Sequence, residues 1–146
     1  MPSRTRLLAD TNYIIQRRST DLPAGFLLSA VVLQELAAGA RDEGRLRELA
    51  QLRREYERDA KLVVPNGEDW WFAGTVLNAL LRGVRSDRRG HTPAISKEEQ
   101  QRLLRDALIA RSAKRVNATV VTYNTRDFAK IRRFCNVDVA EPDEVL

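Results

Sequence analysis

The chain holds one cysteine and one histidine among its 146 residues. Cys135, in Arg132-Arg-Phe-Cys-Asn136, has no partner for a disulfide within the chain. Beside Phe134 it reads as a small buried hydrophobe. His91 lies in a polar stretch, Arg88-Arg-Gly-His-Thr-Pro93. One residue of each kind excludes a zinc site built from His and Cys of a single chain. It also leaves a Ser-His or Cys-His triad with only a loop histidine as its base. Long apolar runs are missing as well. Arg4 and Arg6 precede an apolar stretch that Asp10 interrupts at once, which excludes a signal peptide. No run approaches the roughly 20 residues of a membrane helix. There is no internal repeat and no low-complexity linker. The chain therefore reads as one soluble, cytoplasmic domain over residues 1–146.

What the chain does have is charge. Asp, Glu, Lys and Arg make up 31% of it, with a net charge of +5 and a pI near 9.9. A basic balance favours polyanions such as nucleic acid, or an acidic partner protein. Solubility alone would produce the same balance. Hydrophobic residues are 43% of the total, enough for a core in a domain of this size.

Apolar bursts alternate with amphipathic stretches, the pattern of an α/β fold. Residues 6–10, 26–28, 61–64, 119–122 and 137–140 read as five short strands, the last at an edge. Asp10-Thr-Asn supplies capping chemistry before Tyr13-Ile-Ile15. Asp21-Leu-Pro-Ala-Gly25 is a turn. Ser29 caps a helix over residues 30–39 that Gly39 ends. Residues 42–60 form a charged helix with Leu46, Leu49, Leu52 and Tyr56 on one stripe. Asn66 caps a helix through Leu81, opened by Trp70 and Trp71, which are expected in the core or at an interface. Residues 83–96 are expected to form a mobile loop, and Ser96 with Glu99 a capping box for a helix to about Val116. The result is a three-layer α/β/α sandwich around a five-stranded, mainly parallel sheet. Ligands of such folds sit beyond the carboxyl ends of the strands, where strand order reverses. If strands one and four are neighbours, Asp10 and the 122–127 segment meet at one crevice.

Four acids lie against apolar sequence: Asp10 after Leu7-Leu-Ala9, Glu35 within Ser29-Ala-Val-Val-Leu-Gln-Glu-Leu36, Asp106 within Leu103-Leu-Arg-Asp-Ala-Leu-Ile-Ala110, and Asp127 in Tyr123-Asn-Thr-Arg-Asp-Phe128. Carboxylates beside buried surface are unfavourable unless a cation or hydrogen bonds compensate them. Several brought together ask for a divalent metal with oxygen ligands. In a chain that attracts phosphates, that points to phosphodiester hydrolysis. Each acid also has a plainer reading. Asp10 is equally a helix N-cap, and Glu35, on a face with Val31 and Val32, could snorkel outward. Asp106, a poor mid-helix residue, could pair with Arg102 or Lys114 on an exposed edge. Asn124 and Asp127 could be turn residues.

The same four segments, with Leu8-Ala-Asp-Thr-Asn12 at the start, give the chain a clear resemblance to PIN domains. It is most similar to the VapC-type toxin ribonucleases of bacterial toxin–antitoxin pairs. The resemblance spans nearly the whole chain. It implies an Mg²⁺- or Mn²⁺-dependent endoribonuclease, a homodimer, and inhibition by a cognate antitoxin. Asp10, Glu35 and Asp106 match the family's core acids and are the metal ligands it implies. Many members carry aspartate where this chain has Asn124, and others have the Asn-x-x-Asp-Phe form present here. Either Asp127 supplies the fourth charge or Asn124 orients the attacking water. Thr11, Asn12 and Thr122 are the supporting residues, and Arg85, Arg88, Arg89 and Arg126 the candidate RNA contacts. A receiver-like signalling module fits less well, because the third strand ends at Val63-Val-Pro65-Asn66 without an acid. A phosphatase of the aspartate-nucleophile kind lacks its second aspartate in Asp10-Thr-Asn12. A non-catalytic PIN-like module that binds RNA or protein remains the alternative.

Overall fold

The computed structural model describes residues 6–17 and 22–145. Arg4 and Asp21, which opens the expected turn, lie outside the described residues. Five strands form one parallel sheet: β1 (Arg6–Ala9), β2 (Phe26–Ser29), β3 (Leu62–Val63), β4 (Ala118–Val121) and β5 (Val139–Ala140). Their order is β3-β2-β1-β4-β5. The chain therefore winds outward from β1 in one direction and then crosses to its other side, making the junction of β1 and β4 the point of reversal. The pairing of Ala9 with Val121 brings the carboxyl ends of these two strands level. Leu8, Ala9, Val120 and Val121 are fully buried, as the central strands of a doubly covered sheet must be.

The helices follow from caps and stripes. After α1 (Thr11–Arg17), the Ser29 side chain accepts from the Val31 amide and starts α2 (Ala30–Ala38). Asp42 caps α3 (Glu43–Arg58), which buries Leu49 and Leu52. Asn66 opens α4 (Gly67–Arg85) in a reciprocal capping box with Asp69. Ser96 accepts from the Glu99 amide and starts α5 (Lys97–Arg115). Ala107, Ala110 and Ala113 of α5 are all buried, and their small side chains let this helix sit close to its neighbours. Two short helices, α6 (Thr125–Arg132) and α7 (Pro142–Val145), complete the sandwich.

One expectation needs correction and another is narrowed. Helix α4 runs to Arg85, so the connection to α5 is shorter than the expected loop over residues 83–96. Gly83 is accommodated because a single glycine inside a long, well-capped helix costs only about 1 kcal/mol. Of the two places expected for Trp70 and Trp71, the fold excludes the core: they are 59% and 77% exposed, on a face open to an interface. The capping box sets the helix phase: Asp69, Ala73 and Val76 face inward at positions i, i+4 and i+7. Both tryptophans are thereby turned outward.

Asp69 was not anticipated as a buried acid. Its carboxylate caps Asn66 and pairs with Arg115 at 3.1 Å and Arg111 at 3.8 Å. Arg115 also donates to the Val64 carbonyl at 2.8 Å, and Arg111 lies over the Phe72 ring. This network ties α4, α5 and the end of β3 together. Removing its one buried anion strands Arg115 and leaves Arg111 only the exposed Glu68, at 3.9 Å. Asp69→Ala is expected to lower stability by about 2 kcal/mol in urea unfolding, with an unchanged m value. A loss below a few tenths of a kcal/mol would show that the network contributes nothing.

Candidate functional site

The carboxyl end of β1 delivers Asp10 one residue beyond the last ladder pair, where its amide still bonds to the Val121 carbonyl at 2.9 Å. Its carboxylate accepts from the Thr11 amide at 2.9 Å and from the Thr122 hydroxyl at 2.9 Å. Thr122, just past β4, is fully buried. Its single hydroxyl proton goes to Asp10, and its oxygen in turn accepts from the Asn124 amide at 2.9 Å and the Asn12 side-chain amide at 3.2 Å. Asn12 also accepts from the Tyr123 amide. The two strand ends are thus laced through one threonine.

Onto this corner α2 projects Glu35, α5 projects Asp106, and the start of α6 projects Asn124 and Asp127. One cleft of about 200 Å³ is lined by Asp10, Thr11, Asn12, Glu35, Asp106, Asn124 and Asp127, with Arg102, Arg105 and Ile15. The predicted acids therefore converge, although they come from four elements spread over nearly the whole chain. Thr122 lies beneath the cleft and acts on it through Asp10. Arg85, Arg88, Arg89 and Arg126 are not part of its lining.

The plainer readings fare differently. Asp10 does bond to the start of α1, so it serves that helix as well as the cleft. Asp106 is buried and forms no ion pair with Arg102 or Lys114 among the described residues. Asn124 stands at the N-cap position of α6, yet its side chain makes no capping bond. The cation that does face the acids is Arg105, 3.7 Å from Glu35. Sequence reading passed over it. Its signal was available, since Arg105 adjoins Asp106 in a helix whose neighbouring positions are apolar.

Electrostatics mark the cleft as short of positive charge. Burial above all, with repulsion from Asp10, Asp127 and Glu35 and against an opposing pull from Arg105, raises the Asp106 pKa to about 8. Burial also raises Asp10, against its bonds to Thr122 and Thr11. Glu35 is raised by burial, opposed mainly by Arg105. The comparison with Asp69 is instructive. That acid is equally buried but is met by two arginines, whereas four acids here share one exposed arginine.

Such a donor set suits a hard divalent cation, with oxygen ligands and excess negative charge. The Thr11 hydroxyl is buried at the wall facing Glu35, whose carboxylate it favours without completing a well-formed hydrogen bond. Among the described residues no three acids stand close enough to chelate one ion directly. Mg²⁺ is usually held by one or two carboxylates and keeps several waters, so the cleft fits a hydrated ion.

Comparison with known proteins agrees with this architecture. The PIN domain family profile matches residues 8–134, and the chain belongs to that family. In fold it is similar to VapBC-1 from nontypeable Haemophilus influenzae, 21% identical, with 94% of this chain and 98% of that one covered and a TM-score of 0.55. It is also similar to DNA-bound VapBC from Salmonella typhimurium, 19% identical over 94% and 98%, with a TM-score of 0.58. FitAcB from Neisseria gonorrhoeae is 19% identical over 95% and 99%, with a TM-score of 0.53. No curated protein sequence matches significantly.

The acids carry a pH signature. All three pKa values are raised on folding, so the native state holds more protons than the unfolded chain between about pH 4 and 8. Their favourable contribution is complete below about pH 4 and is lost as pH rises through about 8. In EDTA the protein is therefore expected to lose thermal stability across this window. Asp106→Asn is expected to flatten that slope and to melt roughly 5 °C above the parent at pH 8, for a gain on the order of 2 kcal/mol. A variant that melts below the parent at pH 8 would refute the repulsion.

Proposed function

We propose that the protein is a metal-dependent endoribonuclease, the toxin of a toxin–antitoxin pair. The reading rests above all on the convergence of Asp10, Glu35, Asp106 and Asp127 in one electrostatically unbalanced cleft at the β1–β4 reversal point. Family membership and the likeness to VapBC chains support it. Asp10, Asp106 and Glu35 are the residues that would hold Mg²⁺ or Mn²⁺, some of them through water. When bound, such an ion lowers the pKa of a water and offsets charge on the scissile phosphate.

The chain's own groups have separate tasks. Glu35, half-buried with a raised pKa, is suited to accept the proton of the attacking water. Thr122 and the Thr11 amide fix the Asp10 carboxylate, so that little reorganisation is needed when substrate arrives. Asn12 braces Thr122 from behind. The Asn124 side chain, free of capping duty, is placed to orient the water, and Asp127 adds the fourth charge. Arg102 and Arg105, beside the acids, join Arg126 as phosphate contacts near the cleft, while Arg85, Arg88 and Arg89 serve more distant backbone. Attack by water leaves a 5′-phosphate and a 3′-hydroxyl. It needs neither a histidine pair nor the ribose 2′-hydroxyl. A cognate antitoxin and a second copy of the chain are the proposed protein partners, in the cytoplasm. Among the described residues no helix is long and apolar enough to cross a membrane.

Asp10→Asn is expected to reduce RNA cleavage roughly a thousandfold or more, since a metal centre supplies several kcal/mol of transition-state stabilisation. EDTA should do the same to the parent protein. Mn²⁺ should raise the melting temperature of the parent and not of the variant. Cleavage that survives both EDTA and Asp10→Asn in a clean preparation would overturn the assignment. Absent cleavage with intact RNA binding would leave a non-catalytic PIN-like module.

A further inference from the structure

A second cavity, of about 450 Å³, opens beside the acidic cleft between the end of α4, the connection that follows it, α5 and α6. Its floor is aliphatic, with Leu80, Ile95 and Leu103, and its rim carries Lys130, Arg133 and Phe134. The two cavities share two helices. On α5, Asp106 and Arg102 line the acidic cleft, and Leu103 and Glu99 line the second cavity. On α6 and its C-cap, Asp127 lines the first, and Lys130 and Arg133 line the second. At 1.5 Å per residue, Lys130 lies about 5 Å and Phe134 about 10 Å from Asp127 along the helix direction.

Charge distinguishes the stretch of chain that supplies most of the second cavity. Residues 82–133 contain fourteen Lys and Arg against five Asp and Glu, a net of +9, while the rest of the chain carries −4. On α3, arginines are matched by acids in Arg45–Glu48 and Arg53–Glu57. Around the two cavities only Arg105 and Lys130 are matched among the described residues, by Glu35 and Glu99. Arg102, Arg126 and Arg133 have no acid partner among the described residues. Lys130 meets Glu99 at 3.4 Å, but both side chains are about half exposed. A pair of that kind is worth under about 1 kcal/mol and yields readily to a phosphate. Phe134 is 41% exposed, in a turn fixed by the bond from its amide to the Ile131 carbonyl.

We propose that this cavity is a subsite for single-stranded RNA, receiving a nucleotide one or two positions from the scissile bond. Phe134 stacks on the base, Arg133 and Lys130 contact the flanking phosphates, and the aliphatic floor accepts the buried edge of the base. An exposed aromatic bordered by exposed cations is the arrangement that holds unpaired strands with little regard to sequence. The cavity volume lies within the range of small-ligand sites. The proposal rests on the ribonuclease reading for the identity of the strand, and its test is separable from that reading.

The test measures binding of a fluorescein-labelled ten-nucleotide RNA by anisotropy, in the full-length Asp10→Asn background, over a range of salt. Phe134→Ala is expected to weaken binding about tenfold, the effect of one lost base stack. Arg133→Glu is expected to weaken it and to reduce the salt slope by about 0.7, the contribution of one phosphate contact on a single strand. Circular dichroism melts check that both variants fold; each changes an exposed side chain. Unchanged affinity and salt slope in both variants overturn the subsite, and leave the cavity to a protein partner, even if the parent cleaves RNA. Weakened binding in a parent that does not cleave upholds the subsite while the nuclease reading fails.

Discussion

The bond from the Thr122 hydroxyl to Asp10 joins two strand ends that are 112 residues apart in sequence, and the chemistry of the cleft depends on it. The sheet makes this bond possible. Parallel pairing of β1 with β4 brings both chain segments out of the sheet at the same height, and the order reversal at β1 leaves no strand above them. A buried hydroxyl has one proton to donate. Giving it to Asp10 leaves the threonine oxygen to accept from Asn12 and Asn124, so the sequence Asp10-Thr-Asn12 and the sequence Thr122-Tyr-Asn124 become one hydrogen-bonded unit. Glu35 and Asp106 then need only arrive from the flanking helices.

Two buried acids show how differently one fold can treat the same chemical group. Asp69 is enclosed by Arg111, Arg115 and the cap of α4, and its charge is spent on holding helices together. Asp106 is enclosed by apolar side chains and other acids. Burying charge without compensation is unfavourable by several kcal/mol, and Asp106 accordingly keeps its proton up to about pH 8, whereas the arginines around Asp69 compensate its charge.

Much of this could be read before the fold was known. Asp10, Glu35 and Asp106 stood out because each broke an apolar stretch, and burial of their neighbours bears out that contrast. The strand pattern was legible because central parallel strands are nearly continuous apolar runs. Asp69 was hidden because it sits beside glutamate and two tryptophans, where no apolar context advertises burial; only the Asn66-x-x-Asp69 spacing marked it. The tryptophans left two places open, the core or an interface. Large aromatic residues suggest a core, but the cap fixed the helix phase a few residues earlier and turned them out. Arg105 was marked by its place beside Asp106 in an apolar stretch, but its pairing with Glu35 across α2 and α5 is tertiary and has no local trace.

The outward placement of Trp70 and Trp71 has a spectroscopic consequence. They are the only two indoles in the chain, and both face solvent in the folded state. Their emission therefore starts near the long-wavelength limit and has little further to move when the chain unfolds. Intrinsic fluorescence is a weak reporter of denaturation here, and a sensitive one for anything that dries the outer face of α4.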